Sequence, residues 1–417
     1  MLDRLLSSET RCSLLDQCVV SGGNFLTTLV LARLLAPAEY GTFSLLFLSL
    51  FAINTCHTSL VVYPLTLRGA AASERERGEL AGAALVHTLL LGIPLAAVLS
   101  IVVTVLHRPD LWMMMAIAMV LWQAQEAARR TLLAASRSRA AILPDFVCYV
   151  GQAVALAVLH SADLRVIFVV VAVTSLIAAC WQFSLAKVSF GSSLSMEYGR
   201  FAWSVGRFAL AGNSLNMIAL QIPGWTLILL IAPAAVAGYQ SLLNLVGVAN
   251  PIIFSVSNLL IPAVARVAPQ GVRQARRTVV HYGIRYTALL LPCFVLLFAV
   301  PHLVMRLVYG AASPYLNLAP LLRPFAFAFL LQYLATVVGA YEGGMARPKT
   351  YMWVQIVSTG ILLTAGVALI RMFSITGAVE AMVLASAARL VTFLLLARAA
   401  DRPLFTITDS ILEPSHD

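Results

Sequence analysis

The amino-acid sequence predicts an all-α integral membrane protein with about twelve transmembrane helices, arranged as two six-helix halves with both termini in the cytoplasm. Three observations support this fold class. Of the 417 residues, 60% are hydrophobic and only 11% are charged, whereas a soluble domain carries about 25% charged residues. Cationic residues are concentrated on alternate loops, and one short motif occurs twice. The composition excludes a cytosolic enzyme, a secreted disulfide scaffold and a disordered protein.

The spans follow from apolar stretches long enough to cross the hydrocarbon core, roughly 20 residues each, separated by charge, Gly and Pro. The first six are Leu14–Leu35, Gly41–Leu65, Leu80–Leu106, Leu111–Ala135, Ile142–Leu159 and Val166–Leu185. The second six are Ser204–Ile231, Val236–Ile261, Val279–Phe298, Leu316–Ala340, Tyr351–Ile370 and Ile375–Ala397. We therefore assign residues 1–200 to an N-terminal half, 201–401 to a C-terminal half and 402–417 to a cytoplasmic tail.

The positive charge is distributed as the positive-inside rule requires. With a cytoplasmic N-terminus, 20 of the 28 Lys and Arg residues face the cytoplasm, and the outer loops hold only Arg108, Arg165, Arg306 and Arg371. The net charge of +10 is therefore a topology signal, and we predict no nucleic-acid partner. The six Cys lie in apolar stretches without a CxxC pair, and the His spacing suits no metal. We predict neither a metal nor a cofactor.

An internal repeat relates the two halves. The run Leu35-Ala-Pro-Ala-Glu-Tyr-Gly-Thr-Phe-Ser-Leu-Leu46 matches Ile231-Ala-Pro-Ala-Ala-Val-Ala-Gly-Tyr-Gln-Ser-Leu-Leu243 with one inserted residue. The repeat places Pro223-Gly224 inside a long, broken seventh span, near the equivalent of Gly22-Gly23 in the first. Paired breaks in two halves point to the substrate region of a transporter, although Gly and Pro are also common in transmembrane helices.

Two runs resemble a known family. Asp16-Gln-Cys-Val-Val-Ser-Gly-Gly-Asn-Phe25 and Leu31-Ala-Arg-Leu-Leu-Ala-Pro-Ala-Glu-Tyr-Gly-Thr-Phe43 are similar to the opening of bacterial polysaccharide flippases of the multidrug/oligosaccharidyl-lipid/polysaccharide (MOP) superfamily. These are O-antigen and exopolysaccharide repeat-unit transporters. Leu307-Val-Tyr-Gly310 to Leu321-Leu-Arg323 resembles an outer loop of that superfamily.

The resemblance implies a MATE-like transporter in the bacterial inner membrane. Its substrate would be an undecaprenyl-diphosphate-linked oligosaccharide, moved from the cytoplasmic to the outer leaflet through a central cavity that opens alternately to each side. A polysaccharide polymerase or the chain-length machinery is the implied partner. A sugar-diphosphate head cannot cross lipid without losing its hydration at great cost, so the cavity should be polar and cationic.

Polar residues within the spans are the candidate cavity lining. Gln17, Ser21, Asn24 and Thr28 recur on one face of the first helix. Their function is either contact with sugar or diphosphate, or hydrogen bonding between packed helices. The same two interpretations apply to the polar residues of the seventh and eighth spans. These are Asn213, Asn216, Gln221, Gln240 and Asn244.

Charged side chains inside a membrane span are energetically costly, so each one is expected to bind a ligand or to have a partner. The arginines proposed to bind diphosphate are Arg33, Arg207, Arg285, Arg323 and Arg389. Arg suits forked contacts to phosphate oxygens, although those near span ends could instead reach the interface. Asp16 and Glu380 are candidate ion-coupling residues. Asp16 could alternatively pair with Arg11 or Arg207, and Glu126 should pair with Arg130 on its own helix.

Three other functions remain as alternatives. An ion-coupled multidrug antiporter of the same superfamily would use Asp16 or Glu380. A polysaccharide polymerase would need a large outer loop with catalytic groups, which the sequence does not contain, so we predict no enzyme activity. A scaffold that organises a synthase complex would need no cavity between the halves.

Overall fold

A computed structural model describes residues 8–345 and 347–401, and in that part of the chain the regular secondary structure is helical. It forms twelve helical spans, named α1 to α12. The first six are α1 (Ser8–Leu34), α2 (Pro37–His57, Thr58–Val62 and Tyr63–Ala71), α3 (Glu74–Val105), α4 (Trp112–Ala134), α5 (Ser138–Asp145, Phe146–Val150 and Gly151–Leu159) and α6 (Leu164–Leu185).

The last six spans begin with α7 (Ser192–Leu230), α8 (Pro233–Gly247 and Asn250–Val267) and α9 (Val272–Ala299). They end with α10 (Leu322–Gly344), α11 (348–373) and α12 (375–401), the last two separated by a kink at Ser374. A short outer helix, Pro301–Tyr309, follows α9. Seven helical stretches of the described chain are long and apolar enough to cross a membrane.

The two copies of the repeated motif form equivalent turns. Pro37 occupies the first turn of α2, and Pro233 occupies the first turn of α8. Proline suits this position because the N–H that it lacks would have no partner within the helix. Both helices begin about one turn before the predicted bounds, since hydropathy does not mark a helix start that lies beyond the lipid.

The interior of several spans also differs from the prediction. α7 runs unbroken through Pro223 and Gly224, so the predicted break of the seventh span is wrong. The interruptions are instead π-helical segments at 58–62, 146–150 and 362–366. A π-helical turn accommodates one extra residue without ending a helix, and such turns are frequent at functional sites.

The spans pack in two groups that share α7. Within the first group, α1 lies so close to α5 that a Cβ on Gly23 would be 2.5 Å from the Cβ of Tyr149. The inner part of α7 packs on α2, where the Tyr198 hydroxyl donates to the Val61 carbonyl at 2.6 Å. The outer part of α7 packs on α12 through Ile222 and Ala381. The division of the chain at residues 200 and 201 remains a prediction.

Candidate functional site

A cavity of about 670 Å³ lies between α1, α2 and α8. Its polar lining consists of Gln17, Ser21, Asn24, Thr28, Ser44, Gln240, Asn244 and Asn250. The predicted polar face of α1 therefore faces a cavity between the halves. Among the described residues that line it, no side chain is charged. The cavity offers amide and hydroxyl groups, which both donate and accept hydrogen bonds.

The part of the cavity lining that α2 contributes is largely aromatic. Phe43 stacks on Phe47 with ring centroids 5.5 Å apart, and Phe47 meets Phe51 edge-on at 5.1 Å. Trp122 of α4 packs edge-on against Phe51, also at 5.1 Å. Each ring contacts the next one, so the phenylalanine side chains form a preformed apolar wall of the cavity.

Hydrogen bonds orient two of the amides. Gln240 Nε2 donates to Asn244 Oδ1 at 2.8 Å, and Asn244 Nδ2 donates to the Tyr40 hydroxyl at 2.9 Å. Asn244 thus connects α8 to α2 across the two halves. Gln17 Nε2 donates to Ser21 Oγ at 3.3 Å within α1.

Contacts join the outer ends of the helices beyond Thr28 and Phe43, the lining residues nearest those ends on α1 and α2. Arg33 of α1 donates through Nε to the Val308 carbonyl at 2.9 Å, in the last turn of the short outer helix. Tyr309 donates to the Ser241 carbonyl at 2.9 Å. A Cβ on Gly41 would overlap the Pro233 carbonyl oxygen, so only glycine lets the two motif turns meet this closely. We name these contacts the outer closure.

An ionic cluster is buried among α1, α4, α5 and α6. Arg129 binds Asp16 at 2.6 Å, Asp145 at 2.7 Å and Glu126 at 3.3 Å. Glu126 also binds Arg130 at 2.6 Å. We name these five side chains the Arg129 cluster. Its three carboxylates and two guanidiniums sum to a charge of −1 when all are ionised.

Two amides complete the contacts around Asp145. Gln125 and Gln182 both donate to its Oδ1, at 2.8 and 2.7 Å. In contrast, Asp16 Oδ1 is buried and accepts no hydrogen bond in the described structure. The partner that Asp16 has in the described structure is thus Arg129, where Arg11 or Arg207 was expected. The Arg11 side chain lies outside the described part. The pairing of Glu126 with Arg130 is confirmed.

The arginines proposed as diphosphate ligands lie away from the cavity. Arg33 belongs to the outer closure, and Arg323 donates to the Phe298 carbonyl at 3.0 Å near the outer end of α9. Arg389 packs over the Tyr351 ring, 5.9 Å from its centroid. Arg207 and Arg285 are exposed on α7 and α9. The lining of this cavity is therefore neutral, whereas a cationic one was expected, since none of these arginines is among its residues.

The remaining predicted residues are dispersed. Asn213 donates to Ser59 Oγ of α2 at 3.1 Å and is not part of the cavity lining. The side chain of Asn216 lies outside the described part of the structure. Glu380 is exposed on α12. Of the predicted lining residues whose side chains the structure describes, Asn213 and Gln221 do not line the cavity. Those that do are Gln17, Ser21, Asn24, Thr28, Gln240 and Asn244.

Sequence reasoning did not single out Arg129 and Asp145, the two residues at the centre of the Arg129 cluster. Arg129 is one of the 20 Lys and Arg residues that the charge distribution assigns to the cytoplasmic side. A signal was available, since Gln125 and Arg129 are four residues apart and share a helix face. Asp145 likewise lies beside an apolar run, where an acid needs a partner.

Comparisons with known proteins concern the fold. No protein-family model matches the sequence, and no curated protein matches it. The structure resembles the inward-facing conformation of a multidrug resistance MATE family transporter of the MOP superfamily, at a TM-score of 0.69 and 14% identity over 95% of both chains. A MOP superfamily transporter from Pyrococcus furiosus matches at a TM-score of 0.65 and 13% identity over 93% of both chains.

The lipid II flippase MurJ is a further neighbour, at a TM-score of 0.67 and 9% identity, over 92% of this chain and 86% of that one. These likenesses establish a MATE-like all-α fold, which confirms the predicted fold class. A multidrug resistance MATE family transporter and a lipid II flippase both have this fold.

Proposed function

We propose that this protein is a flippase for a lipid-linked oligosaccharide, moved from the cytoplasmic to the outer leaflet by alternating access. The chemistry of the cavity carries this proposal. Sugar hydroxyls both donate and accept hydrogen bonds, as do the amides and hydroxyls of α1 and α8. The phenylalanine wall of α2 offers a flat apolar surface for the C–H faces of a sugar ring.

The location of the cavity supports the same proposal. It lies on the inner side of the outer closure, and its lining reaches Gln17 near the inner end of α1. A substrate would thus be accepted from the cytoplasmic leaflet. Its glycan would occupy the cavity while its polyprenyl tail stays in the bilayer, which avoids dehydrating the glycan in hydrocarbon. Undecaprenyl diphosphate as the carrier, a bacterial inner membrane location and a polymerase partner belong to this proposal through the family resemblance.

The alternative of an ion-coupled multidrug antiporter is favoured by one observation, the unpartnered Asp16 oxygen in a cluster with excess negative charge. The cavity disfavours this alternative. Many exported drugs are cations, and a cation in a low-dielectric cavity needs a nearby carboxylate. The lining described here is neutral. An enzyme or a scaffold is less favoured, since the structural neighbours are transporters and a flippase.

A leaflet-exchange assay tests the proposal. Purified protein in proteoliposomes should accelerate movement of a fluorescent polyprenyl-diphosphate oligosaccharide, followed as the fraction accessible to an external quencher. Asn24→Leu should slow exchange about threefold to tenfold, the effect of one lost hydrogen bond to substrate.

Arg323→Gln is the matched control, because Arg323 contacts the Phe298 carbonyl outside the cavity. It should exchange at the wild-type rate. Exchange no faster than in empty liposomes, tested with several glycans and with or without an ion gradient, would reject the flippase proposal.

Asp16 is proposed as the ion-coupling residue. Its unpartnered oxygen would accept a proton or cation, which would offset the excess negative charge of the cluster. In Asp16→Asn, exchange down a substrate gradient should persist, whereas stimulation by an imposed pH or sodium gradient should be lost. Glu380→Gln serves as the comparison, because Glu380 lies on α12 outside the cluster. Loss of stimulation in Glu380→Gln alone would transfer the role to that residue.

A further inference from the structure

One face of α9 carries a row of basic side chains that the proposed transport does not use. Arg273, Arg277, His281 and Arg285 are spaced four residues apart, and all four are exposed. On a helix this spacing gives a single row that rises about 18 Å from the inner end of the span. We name these four residues the α9 basic row.

Protein does not cover this face in the described structure. The buried residues of α9 are Ala275, Leu290, Phe294 and Leu297. At 100° per residue they lie on the side of the helix opposite the row. The face of the row continues toward the outer end with exposed apolar side chains, including Ile284, Leu291 and Val295. Such a surface in a membrane protein contacts lipid.

The basic row has no acidic partner among the described residues. The nearby carboxylate of Asp401 binds Arg276 at 2.9 Å and Arg347 at 2.8 Å. Cations at a lipid-facing helix surface are costly unless a counter-charge approaches them. At α9 the lipid itself can supply this counter-charge, because phosphate headgroups lie at the depth of the first turns of the helix.

We propose that the α9 basic row binds the phosphate headgroup of an anionic phospholipid in the cytoplasmic leaflet. A surface groove of about 660 Å³ runs along the row and is lined by Arg273, Arg277, Val280, His281 and Ile284. Guanidinium groups make forked contacts with phosphate oxygens. Arg285 lies deepest in the membrane of the four residues, and it reaches the headgroup by extending its side chain toward the membrane interface. The acyl chains cover Ile284 and the apolar residues beyond it.

Binding of a labelled phospholipid to the purified full-length protein tests this site. Fluorescent phosphatidylglycerol, and phosphatidylcholine as the neutral comparison, are titrated against the protein in detergent and followed by anisotropy. Each arginine near an anionic surface contributes about fivefold to binding. A variant with Arg273→Gln, Arg277→Gln and Arg285→Gln should therefore bind phosphatidylglycerol at least tenfold more weakly, with no change for phosphatidylcholine.

A matched variant, with Arg75→Gln, Arg139→Gln and Lys349→Gln, removes the same charge from other exposed cytoplasmic positions. It should retain phosphatidylglycerol binding. Equal loss in both variants would assign the binding to overall charge and overturn the proposal. Displacement of the lipid by millimolar inorganic phosphate would assign the row to free phosphate and also overturn it. If the triple variant does not fold, Arg285→Gln alone should still weaken binding about fivefold.

Discussion

Arg129→Ala is expected to destabilise the folded protein by about 3–5 kcal/mol, the effect of breaking a buried ion pair. Arg129 is 4% exposed and neutralises carboxylates from three spans, α1, α4 and α5. Removing it leaves Asp16 and Asp145 buried without a counter-charge. The measurement is thermal unfolding in detergent, followed by intrinsic fluorescence and compared between variants at one scan rate.

Arg130→Ala is the control on the same helix. The Arg130 side chain is 40% exposed and pairs with Glu126, so its loss should cost under about 1 kcal/mol. Adding Asp16→Asn and Asp145→Asn to Arg129→Ala should restore part of the lost stability, since the unpaired charges are then removed. Equal, small losses in Arg129→Ala and Arg130→Ala would show that the cluster is solvated rather than buried.

Gly41→Ala is expected to open the outer closure. The added methyl group would overlap the Pro233 carbonyl oxygen, which belongs to a backbone and cannot rotate away. Overpacking of this kind costs about 1–3 kcal/mol, and it acts only on the state in which the two turns meet. The equilibrium should therefore shift about 5- to 150-fold toward a state with the outer side open.

Thiol labelling measures this shift. Thr28→Cys places a thiol in the cavity, in a background from which the six native cysteines have been removed. A membrane-impermeant maleimide added from the outer side should label this thiol faster when Gly41→Ala is also present. Gly360→Ala is the control, because a Cβ at Gly360 meets no atom within 4 Å. Labelling of the Gly41→Ala protein at the unmodified rate would show that the Pro233 contact does not hold the outer side closed.

The fold was largely predictable because membrane burial imposes strong constraints on sequence. Twenty-residue apolar stretches locate the spans, and the arginine distribution orients them. Helix segments that extend beyond the hydrocarbon core are not marked by hydropathy in this way. α7 therefore begins at Ser192, three turns before the predicted start at Ser204. Within the span, hydropathy also did not show that α7 continues through Pro223 without a break.

The candidate site was predictable in part. The polar face of α1 has helical periodicity, so Asn24 was correctly expected to face away from lipid. The arginines could not be located, because the sequence does not determine whether a long side chain turns toward a cavity or toward a helix end. Arg33 is an example, because the Val308 carbonyl that it binds lies 275 residues away in the chain.

The contact between Gly41 and Pro233 has a consequence for variation among relatives. Gly238 occupies the position of Gly41 in the second copy of the motif, but a Cβ there would meet only the side-chain ends of Ile375 and Leu318, at 2.7 and 2.8 Å. Flexible side chains can move aside, whereas the Pro233 backbone cannot. We therefore expect selection to act unequally on the two glycines of the repeated motif. Homologous sequences should retain glycine at position 41 and admit alanine or serine at position 238.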